Sequence, residues 1–165
     1  MPAGDTGGYV QKTVNKSRFI PAVIWMYVIY WLSDRPSVQS SVQSESLALK
    51  IVRILTAGRP ISEFDKIRYA LYLDPIIREM AHFLEYAVLA IFVIIAVGAF
   101  VSDRKKAALI SIIICFLYAC TDEWHQSFVP GRAPEPFDII LDTAGAAVVI
   151  VIFSAVCYKR SRDLE

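Results

Sequence analysis

At 165 residues the chain is about one domain long, but 56% of it is hydrophobic and its mean hydropathy is +0.48, against roughly 45–50% apolar residues in soluble domains. That composition excludes an ordinary soluble domain and a disordered chain, and points to a membrane protein. A net charge of +1 with no basic stripe leaves no footprint for nucleic acid.

Residues 1–14, with Gly4, Gly7 and Gly8 and no apolar period, read as a disordered cytoplasmic tail. Residues 15–158 read as an all-α membrane domain of four transmembrane helices, and 159–165 as a basic cytoplasmic tail. The first span is Phe19–Leu32, lengthened by Asn15 to Ser17 and by Ser33. Basic residues before an apolar run also open signal peptides, but no small-residue cleavage site follows Leu32, so an uncleaved anchor is expected. Ser33 to Ser46 is rich in Ser and Gln and reads as an extended external loop. From Leu47 the apolar residues Ala48, Ile51, Val52, Ile54 and Leu55 recur at helical spacing opposite Lys50 and Arg53, the pattern of a helix in the headgroup plane. Gly58 and Pro60 end it. A second short helix starts at Ser62, with Asp65 completing a loose capping box and Phe64, Ile67 and Leu71 as its buried side.

Asp74-Pro75 reads as the start of the second span, Ala81–Val101, because Asp caps free N–H groups and Pro suits the first helical position. The third apolar run, Ala107–Cys120, continues through Asp122 to Phe128. Val129-Pro130-Gly131-Arg132 has the residues of a tight turn, Pro presetting φ and Gly allowing it to be positive. Glu135-Pro136 then opens the fourth span, Phe137–Tyr158.

Lys12, Lys16, Arg18, Arg104, Lys105, Lys106, Lys159, Arg160 and Arg162 make up nine of the 17 basic residues and lie in three short segments. With four crossings those segments share one side, which the positive-inside rule makes cytoplasmic, with both termini. The loops Ser33–Pro75 and Val129–Pro136 then lie outside. Cys115, Cys120 and Cys157 sit in apolar runs without metal or redox spacing and read as reduced thiols. Trp25, Trp31 and Trp124 suit an interfacial belt.

The chemistry concentrates at one depth. On 1.5 Å per residue, His82 lies about 10 Å below Pro75, Glu85 and Tyr86 about 15 Å below it, and Asp138 and Asp142 about 3 and 9 Å below Pro136. Asp122, Glu123, His125 and Gln126 end the third span at the same level. His82, Glu85 and Tyr86 share a helix face, as do Asp122, His125 and Gln126, and Asp138 with Asp142. Facing lipid they would be costly, so they are expected to face one another in a polar pocket open to the outer surface, with Arg78 and Arg132 above. Structural readings stand beside each. His82 and Tyr86 suit interhelical hydrogen bonds, Asp138 complements a helix dipole, Glu85 pairs with His82, Arg78 holds bilayer phosphate, and either Asp122 or Glu123 pairs with Arg132. Gly145 among Ala144, Ala146 and Ala147 reads as a small-residue helix contact.

Arg78-Glu79-Met80-Ala81-His82-Phe83-Leu84-Glu85-Tyr86, then Asp122-Glu123-Trp124-His125-Gln126-Ser127-Phe128-Val129-Pro130-Gly131-Arg132, then Asp138 and Asp142 with Gly145, resemble three signature blocks of the VanZ-like family of bacterial membrane proteins. Ser33-Asp34-Arg35-Pro36 is similar to a weaker first block, and the resemblance covers about residues 18 to 155. Glu79 departs from it, since the family commonly has Lys there, which puts a second positive charge beside Arg78 in question. The resemblance implies a role in the bacterial envelope and an effect on susceptibility to teicoplanin, a lipoglycopeptide; it does not imply a reaction.

Three functions are compatible with these residues. The pocket binds the headgroup of an envelope lipid or glycolipid through Arg78, Arg132, the acids and the imidazoles. Alternatively it is an intramembrane hydrolase or transferase acting on a lipid-linked substrate, with His82 or His125 as base, Glu123 as acid and Asp122 beside it, and with Asp138 and Asp142 orienting them or holding a divalent metal as cofactor. In the third reading the polar set locks the bundle. No nucleophile is evident, since Ser127 lacks a triad, and this favours the binder. Four helices are few for a transport path, which leaves a dimer open.

Overall fold

The computed structural model describes residues 16–162, with side chains to residue 157. The expected tail 1–14 and the side chains of Lys159, Arg160 and Arg162 lie outside the described residues. A 3₁₀ turn, Lys16–Phe19, leads into five α-helices: α1 Ile20–Ser33, α2 Ser37–Leu55, α3 Glu63–Gly98, α4 Arg104–Gln126 and α5 Pro136–Arg162. Among the described residues there is no strand. Three helices are long and apolar enough to cross a membrane: α3, α4 and Pro136–Cys157 of α5. With 14 residues, α1 is about 21 Å long at 1.5 Å per residue, short of the roughly 30 Å hydrocarbon core.

The central element is α3, which packs against each of the other four helices. Its buried stripe of Tyr86, Leu89, Ala90, Val93, Ile94 and Val97 meets Ile29 of α1, Cys115 and Ala119 of α4, and Ala146 and Ile150 of α5. Small residues let these backbones approach closely. A Cβ on Gly145 would overlap the main-chain carbonyl of Phe83, so the expected small-residue contact is the α3–α5 crossing itself. The outward faces are apolar, with Ile91 and Ile95 of α3, Leu109, Ile113 and Leu117 of α4, and Val148, Val151 and Ile152 of α5 exposed. In a bilayer those faces meet acyl chains at no cost.

Two expectations are corrected. Ser33–Ser46 is not an extended loop, because α2 begins at Ser37, after Pro36 with extended backbone. Its inward stripe is Ser37, Ser40, Ser44, Ala48 and Val52, at spacings of three and four. The residues are small, and the half nearest the N-terminus is serine, so an apolar period does not reveal it. Ser44 donates to the carbonyls of Ser40 and Ser41, both at 3.1 Å, which ties the hydroxyl into the helix rather than letting it compete with it.

Nor do separate helices start at Ser62 and Asp74. Ser62 caps as expected, accepting from Asp65 N at 3.1 Å, but α3 then runs through Pro75 for 36 residues. Asp74 caps nothing, and its Oδ1 has no hydrogen-bond partner. Pro75 withholds one internal bond. Ala70, Leu73 and Ile77 on either side of it pack on Ala48, Leu49 and Val52 of α2, so tertiary contact holds the helix through the proline. The segment expected to lie outside as two short interfacial helices is therefore a 19-residue helix lying along the first half of α3. The ion pair of Arg53 with Glu63 at 3.1 Å closes its far end.

Other junctions follow the sequence. Asp103 caps α4, accepting from Lys105 N and Lys106 N, so those basic residues form a helical turn rather than a loop. The turn at Val129–Arg132 closes with Arg132 N donating to Val129 O at 3.1 Å, and Gly131 has φ of 78°. Pro136 opens α5, which continues past Tyr158 to Arg162.

Candidate functional site

The C-terminal ends of α1 and α4, the start of α5 and the middle of α3 meet at one level. Ser33, the last residue of α1, is buried and donates to Asp122 Oδ2 at 2.9 Å. Gln126, one turn beyond Asp122 on α4, donates to the same oxygen at 3.1 Å and accepts from Arg132 Nη1 at 2.9 Å. Arg132 is positioned again by its Nε, which donates to the carbonyl of Arg35 at 3.3 Å. Burial lowers the Arg132 pKa, Asp122 opposes that, and the like charge of Arg78 adds to the lowering.

Glu123 is buried and accepts from the backbone N–H of Glu135, tying α4 to the start of α5. Neither Asp122 nor Glu123 therefore forms the expected ion pair with Arg132. His125 departs from the shared face: its Nε2 lies 3.3 Å from Asp34 Oδ1 and its ring stands 4.4 Å from that of Tyr30, so it braces α1 against α4. His82 Nδ1 lies 3.9 Å from Glu85 Oε2, too long for a hydrogen bond.

Several buried polar atoms have no protein partner: His82 Nδ1, Glu85 Oε2, the Tyr86 hydroxyl, Asp122 Oδ1 and Asp142 Oδ1. Orphans of this kind cost about 1–3 kcal/mol each and are rare in finished cores. Asp142 is itself buried, with Asp122, Asp138, Glu85 and Glu123 in electrostatic range. Among the described residues no group of three or more His, Cys, Asp or Glu side chains is arranged to hold a metal ion.

Two cavities open onto this level. One, of about 130 Å³, is lined by Ser37, Arg78, Glu79, His82, Gln126, Arg132, Glu135 and Asp138. The other, of about 190 Å³, lies between α1, α2 and α3 and is lined by Leu32, Arg35, Gln43, Leu47, Ile77, Ala81 and Glu85. Ser40, Arg78, His82 and Arg132 belong to both. At roughly 10–15 Å³ of such space per water, each has room for a small polar group. Tyr86, Asp122, Glu123 and Asp142 line neither cavity and sit behind the walls.

Sequence reasoning missed the α2 wall, Ser37, Ser40, Gln43 and Ser44, because those residues read as a loop. It also read Trp25 as interfacial, whereas its Nε1 donates to the main-chain carbonyl of Glu85 at 2.8 Å. Trp31 and Trp124 are exposed.

An all-helical chain with apolar outer faces and acids, imidazoles and arginines gathered between its helices has the build of a multi-pass membrane protein with a polar centre. A family model described as VanZ/LLP1 matches residues 19–157. The chain belongs to the VanZ-like family. No curated protein and no solved structure matches it.

Proposed function

We propose that this VanZ-like protein crosses the bacterial cytoplasmic membrane four times and uses its polar centre, at the extracytoplasmic end, to bind the headgroup of an envelope lipid or glycolipid. One observation carries the reading. Side chains of α1, α3, α4 and α5 converge at a single level, and two of the residues that line its cavities, His82 and Glu85, each carry a buried polar atom without a protein partner, which a hydroxylated or charged ligand would satisfy.

The fourth crossing is α1, whose Val23, Ile24, Tyr27 and Trp31 face outward and whose 3₁₀ extension adds length. Sidedness is supported by the basic residues Lys16, Arg18, Arg104, Lys105 and Lys106, all at the end opposite the polar level. Altered teicoplanin susceptibility would follow from sequestering or reorienting the lipid.

The enzymatic alternative needs a nucleophile or an activated water. Ser127 Oγ is committed to the Trp124 carbonyl at 2.6 Å and Ser33 Oγ to Asp122, so the binding reading is preferred. Native mass spectrometry of the protein released from its own membranes tests it. A co-purified amphiphile, displaced in His82→Ala with an unchanged melting temperature, is the expected result. A protein free of lipid in wild type and variant alike contradicts it.

A further inference from the structure

The cavity between α1, α2 and α3 is divided by chemistry. Its lining carries three guanidinium groups, Arg35, Arg78 and Arg132, against a single carboxylate, Glu85, and Arg78 and Arg132 stand at the wall shared with the polar cavity. None of the three forms an ion pair with a carboxylate among the described residues. Arg35 donates to the neutral Gln43 at 2.7 Å and lies over the Trp31 ring at 4.3 Å. Arg132 is held by Gln126 and a backbone carbonyl. Arg78 is half-buried, and its side chain makes no hydrogen bond or ion pair with another side chain among the described residues.

The same cavity also has an apolar share, Leu32, Leu47, Ile77 and Ala81, beside the neutral polar Ser40, Gln43, Ser44 and His82. Although only Asp34, Arg35 and Pro36 join them, α1 and α2 do not pack against each other, and Leu32 of one and Leu47 of the other both line the cavity. On the other side of Arg78 and Arg132 lies the polar cavity with Glu79, Glu135 and Asp138.

Taking the amphiphile-binding reading as its basis, we infer that the ligand is a lipid phosphodiester. Its phosphate sits between Arg78 and Arg132, its hydrocarbon leaves between α1 and α2, and its hydroxylated headgroup occupies the cavity lined by Glu135 and Asp138. The order apolar, cationic, acidic along the two joined cavities matches hydrocarbon, phosphate, hydroxyls along such a lipid. Guanidinium is the group that takes two phosphate oxygens at once, and carboxylates accept from hydroxyls.

The test adds defined ligands to the delipidated full chain in maltoside micelles and reads retention by native mass spectrometry. The probes are phosphatidylglycerol, the diacylglycerol with the same chains, and inorganic phosphate. Expected is at least tenfold greater retention of phosphatidylglycerol than of diacylglycerol, reduced at least tenfold by Arg78→Gln and by Leu47→Trp, which fills the proposed path of the hydrocarbon. Arg132→Ala should act likewise; should it also lower the melting temperature, Arg78→Gln decides, since Arg78 holds no protein group. Equal retention of phosphatidylglycerol and diacylglycerol overturns the inference. So does inorganic phosphate displacing phosphatidylglycerol at matched concentration, or Leu47→Trp without effect. Diacylglycerol retained in place of phosphatidylglycerol sinks the phosphate assignment and leaves amphiphile binding standing, whereas no amphiphile retained at all sinks both.

Discussion

Ser33 at the last position of α1 and Asp122 on α4, 89 residues apart in the chain, are joined by a 2.9 Å hydrogen bond inside the apolar bundle. That bond fixes where the shortest helix ends relative to the polar level, and it leaves the second oxygen of Asp122 free of protein partners. Ser33→Ala is expected to lower stability by about 1 kcal/mol, the usual size of an interhelical hydrogen bond in lipid, read as a drop in melting temperature in micelles. No change would mean that α1 is held by its apolar face alone.

Gly145 and Gly98 form an internally controlled pair. A Cβ at Gly145 meets the Phe83 backbone, which cannot yield as a side chain would, whereas a Cβ at Gly98 meets nothing within 4 Å. Gly145→Ala should destabilise by about 1–3 kcal/mol through forced separation of α3 and α5. Gly98→Ala should be neutral or stabilising by up to about 1 kcal/mol, since Ala is the better helix former. Equal melting temperatures for the two variants would show that α3 and α5 do not cross there.

Single-tryptophan variants separate Trp25 from Trp124. Trp25 is half-buried with its indole bonded to the Glu85 carbonyl, while Trp124 is 69% exposed. A headgroup-attached quencher should reach Trp124 and spare Trp25. Comparable quenching would return Trp25 to the interface.

Pro75 discriminates a helix start from a helix interior. Inside a helix it denies the Leu71 carbonyl its bond, so Pro75→Ala should raise the melting temperature, the interior penalty being about 3 kcal/mol. At a helix start proline is favourable, and the same change would lower it.

The long apolar runs, the Val129–Arg132 turn and the level of the acids and imidazoles were legible because each rests on local signals: hydrophobic span, turn chemistry and residue count along a helix. The first half of α2 was not, since Ser37, Ser40 and Ser44 are chosen for size against Gly131 and α3, and size in a polar residue leaves no hydrophobic period. Pro75 misled for a related reason. Its local preference for a helix start is real, but the packing of Ala70, Leu73 and Ile77 on α2 outweighs it, and no window around Pro75 contains α2. Faces within the site were half legible: Asp122 and Gln126 share one, as their spacing requires, while His125 turns to Asp34, a partner supplied by the chain between α1 and α2.

The proposed function requires that the wall common to both cavities, with Arg78, His82 and Arg132, be reached from the extracytoplasmic side. Cysteine accessibility measures this directly, with Cys115, Cys120 and Cys157 replaced by serine and a membrane-impermeant maleimide applied to intact cells. His82→Cys, at the wall common to both cavities, should label from outside, and Gly98→Cys, at the far end of the same helix, only after the membrane is opened. A cysteine at position 82 that resists the reagent, or that reacts only once the membrane is opened, would contradict it.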